Sequence, residues 1–185
     1  MILVNDLRAG MTFEHEDEVF LVLDKTNNKT ARSKMSIKTK VKNMRSGAIT
    51  ELSWTSGDKA KRAHMEKNEM QYLYDGGNVL VFMDTSNYEQ LEIPKEKLEW
   101  ERNFLKENQD IEIVFYQGEI MGINLPDKIA LQVTETEPAV KGDTATAASK
   151  NAVLETGLEV KVPLFIERDE IILVTTIDGK YSSRA

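Results

Sequence analysis

The chain has 185 residues, of which 41% are hydrophobic and 30% are charged, and its net charge is −7. This composition is typical of a soluble protein with enough apolar surface for a core, and the length suits one to three domains. The absence of cysteine excludes disulfides and thiolate metal sites. No apolar run approaches the roughly 20 residues of a membrane helix and the first ten residues do not resemble a secretory signal, so we expect a cytoplasmic protein with no membrane partner.

Short strands dominate the first third of the chain. The segment EVFLVLD, residues 18–24, predicts a strand, and SIKTKVKNM, residues 36–44, alternates in character along its length. This period of two places lysines opposite an apolar face. The two faces consist of Ile37, Thr39, Val41 and Asn43, and of Lys38, Lys40, Lys42 and Met44. Gly47 then turns the chain into a further strand, AITELSW. We therefore predict a small bent β-barrel with one lysine-rich face.

Residues 24–47 form a basic stretch in an acidic protein. Asp24 is its only acid, and it contains eight cations: Lys25, Lys29, Arg32, Lys34, Lys38, Lys40, Lys42 and Arg45. Eight like charges repel one another unless an anionic partner neutralises them. An RNA phosphate backbone would do so, and counterion release would make the affinity salt-dependent. An acidic protein partner would also fit, and the stretch alone does not choose between the two.

The middle of the chain combines strands with one helix candidate. Residues 70–84, MQYLYDGGNVLVFMD, predict a hairpin around Gly76 and Gly77, because glycine supplies positive φ. Residues 93–108, IPKEKLEWERNFLKEN, predict a helix with Pro94 near its start and with Leu98, Phe104 and Leu105 clustered on one side. Residues 111–126 return to strands around Gln117 and Gly118. Strands, one helix and more strands over about 60 residues fit a five-stranded Greek-key barrel.

The last third also predicts a barrel. Residues 129–138 and 158–166 alternate in hydrophobicity, and residues 170–184 contain two strands around an Asp178-Gly179 turn. Residues 139–157 between them are small and polar and predict a loop.

Signals for catalysis are weak. His15 and His64 are isolated, and EHEDE, residues 14–18, predicts a solvated turn rather than a metal cluster because neighbouring strand residues face opposite ways. No nucleophile elbow, phosphate loop or zinc motif is present. We expect the aromatic residues to lie in the core rather than to stack on bases: Trp54, Tyr72, Tyr74, Phe82, Trp100, Phe115, Tyr116 and Phe165.

Several separated motifs occur in an order that resembles the translation elongation factor P family over essentially the whole chain. They are NDLRAG, VKNMRSGAI, QYLYDGGNVLVFMD, KGDTAT, VLETGLEVKVPLFI and DGKYSSR. The resemblance implies an all-β protein of three small barrels in an L-shaped, tRNA-like arrangement. These would be an SH3-like (KOW) barrel at residues 1–63 and two oligonucleotide-binding (OB) barrels at 64–127 and 128–185.

The resemblance also implies a function. The family binds the ribosome, contacting both subunits and ribosomal RNA, between the P and E sites and beside peptidyl-tRNA. It stimulates peptide-bond formation at consecutive prolines without being an enzyme, and we expect a monomer with no cofactor and no metal. The 29–35 loop would reach the CCA end of the P-site tRNA, and Gly142, Asp143 and Thr144 would lie near the E-site codon. The basic surface for RNA would comprise Lys25, Lys29, Lys34, Lys38, Lys40, Lys42 and Arg45.

The loop tip departs from the family pattern. Many members carry PGKG there, with the lysine extended by β-lysine, and another subgroup carries a rhamnosylated arginine. This chain has TARS, which places Arg32 at the modified position, with Lys34 and Lys29 as alternatives. A modifying enzyme is therefore a further expected partner, and whether this tip is modified stays open.

Three other functions compete with the translation factor. A general single-stranded RNA-binding protein built from OB folds would use the same basic loop. An enzyme acting on a small anionic substrate would need an acid/base pair in a pocket, and the sequence indicates none. A protein-interaction scaffold would use the basic face without RNA.

Overall fold

The structure is a computed structural model that describes residues 1–29, 31–139 and 148–185. Within these residues the chain forms sixteen β-strands and three short 3₁₀ helices. The prediction of an all-β protein with three small β domains is confirmed. No helix among the described residues has both the length and the apolar character needed to cross a membrane.

The first sheet has six strands in the order β1-β6-β2-β3-β4-β5. Their bounds are β1 Ile2–Leu3, β2 Thr12–His15, β3 Glu18–Asn28, β4 Ser36–Asn43, β5 Ile49–Thr55 and β6 Lys59–Arg62. A 3₁₀ helix at Val4–Asp6 follows β1. The sheet closes over one core of buried side chains: Val4, Leu7, Phe13, Phe20, Val22, Ile37, Val41 and Ala60.

The alternation predicted for residues 36–44 is confirmed along β4. Ile37, Thr39 and Val41 are fully buried, whereas Lys38 and Lys40 are exposed. Thr39 is a polar residue in this core, and its hydroxyl accepts a hydrogen bond of 2.9 Å from the indole N–H of Trp54. Burial of the threonine therefore leaves no unpaired hydroxyl.

The second sheet has five strands in the order β11-β10-β7-β8-β9. Their bounds are β7 Glu66–Asp75, β8 Val79–Met83, β9 Gln90–Pro94, β10 Asp110–Tyr116 and β11 Glu119–Asn124. The hairpin predicted around Gly76 and Gly77 is confirmed as the β7–β8 connection. Between β10 and β11, Gln117 and Gly118 both have positive φ, as a two-residue hairpin turn requires.

The helix predicted for residues 93–108 is wrong in extent and type. Ile93 and Pro94 pair with β8 at the end of β9. Two 3₁₀ helices follow, at Lys95–Leu98 and Glu101–Phe104. Each short helix buries its last residue, Leu98 or Phe104. The apolar spacing was therefore a real packing signal, but packing selected two single turns instead of one longer helix.

The third sheet has five strands in the order β14-β13-β12-β15-β16. Their bounds are β12 Lys128–Thr136, β13 Ser149–Leu154, β14 Glu159–Pro163, β15 Ile171–Thr175 and β16 Tyr181–Arg184. Its core is made mainly of aliphatic residues from these strands, and Phe104 packs into the same cluster.

By its internal contacts the chain divides into two compact units. One comprises residues 1–68 with 114–122, and the other comprises residues 69–113 with 123–185. The first unit therefore contains the N-terminal sheet together with the turn that joins β10 to β11. The domain boundaries predicted near residues 63 and 127 stay predictions.

Candidate nucleic-acid interface

Strands β3 and β4 carry the basic stretch as a long antiparallel hairpin. β3 has 11 residues and β4 has 8, and pairing continues to the last residues of the arms, where Asn28 faces Ser36. The connection comprises residues 29–35, and Thr30 lies outside the described residues. Met35 packs against the barrel core, and its carbonyl accepts a hydrogen bond from the amide of Ser56. The end of the connection is thus anchored to the barrel.

The tip of this hairpin consists of three exposed cations, Lys29, Arg32 and Lys34. In the part of the chain that the structure describes, none of the three forms an ion pair with a carboxylate. An exposed cation without an internal acid keeps its full charge available for an external anion. We call Lys29, Arg32 and Lys34 the basic tip.

The stem of the hairpin is different, because Lys25 and Lys38 already contact other groups of the protein. Lys38 forms an ion pair of 3.1 Å with Glu51 of β5, and Lys40 lies opposite Glu51 and Asp24 in the strand registers. Lys25 donates a hydrogen bond of 2.5 Å to the carbonyl of Asn5. Lys42, also predicted for the basic surface, is half-buried at the end of β4. The predicted basic surface is therefore not uniform.

Arg45 was also predicted for that surface, and in the structure its guanidinium is hydrogen-bonded to carboxylates at the base of the hairpin. It binds both carboxylate oxygens of Glu119, with three N···O distances of 3.1 to 3.2 Å. It also donates to the carbonyl of Asp17 at 2.6 Å and to the carboxylate of Glu18 at 3.3 Å. The hydrogen bond with Glu119 raises the pKa of Arg45, and Glu18 acts in the same direction.

A second polar group lies beside this one and is centred on Glu14 of β2. Its carboxylate accepts a hydrogen bond of 2.8 Å from the Tyr116 hydroxyl and pairs with Lys61 of β6 at 2.9 Å. Lys61 and Tyr116 lower the pKa of Glu14. In return, Glu14 raises the pKa of Lys61 and of Tyr116. We call the five residues of these two groups the basal clasp: Glu14, Arg45, Lys61, Tyr116 and Glu119.

An apolar cluster lies beneath the basal clasp. Its buried members are Val19, Ala63, Val114, Tyr116 and Met121, and Met44 and Met65 pack against it. Val19 belongs to β3, whereas Val114 and Met121 belong to β10 and β11. Tyr116 takes part in both layers, because its ring is in the cluster and its hydroxyl binds Glu14.

Two other predictions concern residues outside this hairpin. Gly142, Asp143 and Thr144, predicted for an E-site contact, lie outside the described residues. The EHEDE segment spans the hairpin end between β2 and β3, and only Glu16 and Asp17, both at positive φ, form the turn itself. No group of three metal-ligating side chains is found among the residues described.

Of the eight aromatic residues predicted to lie in the core, three are buried, Trp54 and Phe115 are half-buried, and three are exposed. Tyr72, Phe82 and Tyr116 are buried. Tyr74, Trp100 and Phe165 are 43–57% exposed. Trp100 is nevertheless held in place, since its indole donates to the carbonyl of Thr176 and its ring packs on Phe104.

Sequence reasoning missed the basal clasp altogether. The Tyr116–Glu14 contact joins residues 102 positions apart, and the Arg45–Glu119 contact spans 74 positions. No periodicity within one strand encodes such pairs. The only local signal was that Tyr116 and Glu119 flank the tight Gln117-Gly118 turn, which indicates that both side chains lie at a hairpin end.

Comparison with known proteins supplies the family. Three family models match in succession: "Elongation factor P (EF-P) KOW-like domain" at residues 3–60, "Elongation factor P (EF-P) OB domain" at residues 65–123, and "Elongation factor P, C-terminal" at residues 129–184.

Full-length relatives agree with these matches. The chain is 47% identical over 182 residues to elongation factor P of Mesoplasma florum, covering 98% of both chains. It is 48% identical over 182 residues to elongation factor P of Mycoplasma mycoides, covering 98% of this chain and 99% of the relative. Among solved structures, a eukaryotic translation initiation factor 5A from Methanococcus jannaschii is similar with a TM-score of 0.53 and 18% identity, covering 66% of this chain and 92% of its own. That last similarity concerns the fold alone.

Proposed function

Because the chain belongs to the elongation factor P family and is therefore a translation elongation factor, we propose that it binds the ribosome beside P-site peptidyl-tRNA and stimulates peptide-bond formation at consecutive prolines. The basic tip would approach the CCA end of that tRNA. The ribosome, its RNA and the P-site tRNA are the partners in this proposal, and the factor itself would catalyse no reaction.

The observation that carries the proposal is the basic tip. Lys29, Arg32 and Lys34 are exposed at the end of a long hairpin, and no ion pair links them to a carboxylate of the described chain. A protein segment that enters a site made of RNA needs cations that are not already neutralised. Among the stem lysines, Lys38 satisfies this condition less well, because it has its own acid in Glu51.

The mechanism would be one of positioning. The proline ring fixes φ, so its amine is poorly placed to attack the peptidyl ester. A cationic tip that orders the tRNA terminus would hold the two reactants in attack geometry and lower the entropic part of the barrier. The protein would then need no acid/base pair of its own.

Arg32 would be the central residue of the tip. Its guanidinium is planar and offers paired donors that suit phosphate or base edges, whereas Lys29 and Lys34 are flexible point charges. An unmodified Arg32 could therefore bind RNA unaided. The intact mass of the natively expressed protein tests whether an adduct is present, and peptide mapping of residues 29–34 would locate it.

The decisive experiment is translation of a Pro-Pro-Pro reporter with and without the protein. We expect the parent protein to stimulate synthesis. Arg32→Ala should reduce this stimulation by a factor of about ten or more, while ribosome co-sedimentation is largely retained. Arg168→Ala, which removes an exposed arginine of the third sheet region, is the matched control and should behave as the parent. A parent protein that binds free single-stranded RNA as tightly as ribosomes, and does not stimulate the reporter, would instead favour the general RNA-binding function.

A further inference from the structure

The basal clasp lies at the opposite end of the β3–β4 hairpin from the basic tip. Glu18 is the first residue of β3 and Asn43 is the last residue of β4. Arg45 binds the Glu18 carboxylate at 3.3 Å, and the Asn43 side-chain amide donates to the same carboxylate at 3.2 Å. Contacts of the clasp thus reach both arms of the hairpin where the hairpin begins.

The other half of the clasp is the turn between β10 and β11. Tyr116 is the last residue of β10 and Glu119 is the first residue of β11. Each of them bonds to a different part of the N-terminal sheet: Tyr116 to Glu14 of β2, and Glu119 to Arg45 after β4. Because β3 and β4 are paired with β2 and β5, the hairpin moves with the N-terminal sheet, and two attachment points restrict rotation of that sheet against this turn more strongly than one would.

We propose that the basal clasp positions the β3–β4 hairpin, with Arg45 and Tyr116 as the residues that fix its direction against the β10–β11 turn and hence aim the basic tip. This inference rests on the proposed function for its consequence in translation, but the positioning itself is a property of the protein alone.

The chemistry of the contacts supports a directional role. The Arg45–Glu119 pair is a fork of parallel hydrogen bonds, which defines an orientation as well as a distance. The apolar cluster under it, with Val19, Val114 and Met121, contributes adhesion that is not directional. The cluster holds the surfaces together, and the polar contacts select one alignment of those surfaces.

The length of the hairpin makes its alignment matter. The 11 residues of β3 extend over roughly 35 Å at the usual rise per residue. A tilt of about 5° at the base would therefore displace the tip by about 3 Å, which is large beside the roughly 1 Å that already lowers rates in positioned reactions. Loss of the clasp should consequently lower the maximal rate more than the affinity.

The test uses four variants of the full chain and one matched control. Arg45→Lys keeps the charge and removes the fork, Arg45→Gln removes both, Glu119→Gln weakens the partner, and Tyr116→Phe deletes only the hydroxyl. The control is Arg184→Gln, which breaks a comparable surface contact of 3.3 Å with Glu170 in the third sheet.

The first readout is the rate of Pro-Pro-Pro synthesis at increasing factor concentration. We expect Arg45→Gln to lower the maximal rate about tenfold and to leave the half-maximal concentration within about twofold, with Tyr116→Phe and Arg45→Lys intermediate. The control should match the parent. If the clasp variants keep the parent's maximal rate, or lose rate only in proportion to lost affinity or melting temperature, the positioning role is refuted.

The second readout does not require ribosomes. The chain contains no cysteine, so spin labels can be placed at Thr26→Cys on β3 and Asn68→Cys on β7, both exposed positions. We expect a narrow distribution of label distances in the parent and in Arg184→Gln, and a broader or shifted one in Arg45→Gln and Tyr116→Phe. An unchanged distribution in these two variants overturns the inference. A parent that fails to stimulate the reporter overturns the proposed function instead, and the distances then decide on the clasp alone.

Discussion

The basic tip and the basal clasp lie at the two ends of one hairpin, and they differ in whether their cations form ion pairs. At the tip, Lys29, Arg32 and Lys34 are exposed and form no ion pair with described carboxylates. At the base, Arg45 binds Glu119 and Glu18. All four cations belong to one basic stretch of sequence. The fold places the carboxylates of Glu18 and Glu119 beside Arg45 at the base. Among the described residues it places no carboxylate within ion-pairing distance of the three tip cations.

This difference separates two tasks that a basic stretch can perform. A cation paired inside the protein restrains structure, and its charge is largely cancelled for a distant partner. A cation left unpaired costs some stability through repulsion from its neighbours, but it remains available to an external polyanion. The comparison therefore predicts that substitutions at the tip act on function, and that substitutions at the base act on structure and alignment.

Neutralising the whole tip is the change with the largest expected effect. The triple variant, with Lys29, Arg32 and Lys34 each replaced by Gln, should stimulate Pro-Pro-Pro synthesis about 100-fold less than the parent does. Its thermal stability should be equal to that of the parent or slightly higher, because like charges have been removed. Reporter rates and thermal unfolding measured side by side test this. A triple variant that is both active and destabilised would reverse the roles assigned to the two ends.

The apolar cluster under the clasp gives the next largest effect. Met121→Ala should lower the free energy of unfolding by about 2 to 3 kcal/mol, since Met121 is 9% exposed and its side chain packs in the cluster. Urea unfolding followed by tryptophan fluorescence measures the change. Ile177→Ala is the matched control, because Ile177 is 89% exposed. Equal stability of the two variants would mean that the base of the hairpin is held by its polar contacts alone.

The two ends also differ in how far the sequence predicts them. The alternation in residues 36–44 predicted strand β4 and its lysine-rich face, because period-two patterning follows from the geometry of a single strand. The prediction of a loop with Arg32 at its tip came from charge density and family resemblance. Neither argument found the clasp, since Glu119 is 74 positions from Arg45. A pattern confined to residues 24–47 therefore assigned Arg45 to the same surface as the tip lysines.

A similar limit explains the helix that was predicted for residues 93–108. Local spacing identified Leu98 and Phe104 as residues with a common buried side, and both are buried. The type of helix was decided by contacts from elsewhere in the chain, such as the bond from Trp100 to the carbonyl of Thr176. Sequence patterns indicate which residues are buried more reliably than which backbone hydrogen bonds accompany the burial.

A smaller effect is expected when a tip lysine is compared with a stem lysine. Lys34→Gln should lower the slope of ribosome affinity against salt concentration by about one. Lys38→Gln should lower it less, because Glu51 already compensates Lys38 at 3.1 Å. Ribosome co-sedimentation over a series of salt concentrations gives both slopes, and each lysine serves as the other's control. Equal slopes would show that the internal ion pair opens on binding and that stem and tip contribute alike.

The smallest effect concerns the pH dependence of stability at the clasp, compared between the parent and Tyr116→Phe. The pKa of Glu14 is lowered from its ordinary value of 4.5 by Lys61 first and by the Tyr116 hydroxyl second. A carboxyl with a lowered pKa stabilises the fold above that ordinary value, and the contribution is lost as the pH falls through the lowered pKa. The destabilisation caused by Tyr116→Phe should therefore be present at neutral pH and fade in acid.

At alkaline pH the stabilising contribution is lost as the pH rises, whereas in acid it is lost as the pH falls. Glu14 raises the pKa of Tyr116 from 10.0 and that of Lys61 from 10.5. A raised pKa means that the contribution is complete below the ordinary value and is lost as the pH rises through the raised one. The difference in stability between parent and variant should thus be largest between about pH 5 and pH 10 and decline on both sides. Urea unfolding across this range measures it, with Tyr181→Phe as the control, because among the described residues the Tyr181 hydroxyl has no hydrogen bond. A difference that is constant with pH would mean that the hydroxyl of Tyr116 acts only by packing, and the tip and the base would then differ in exposure but not in electrostatics.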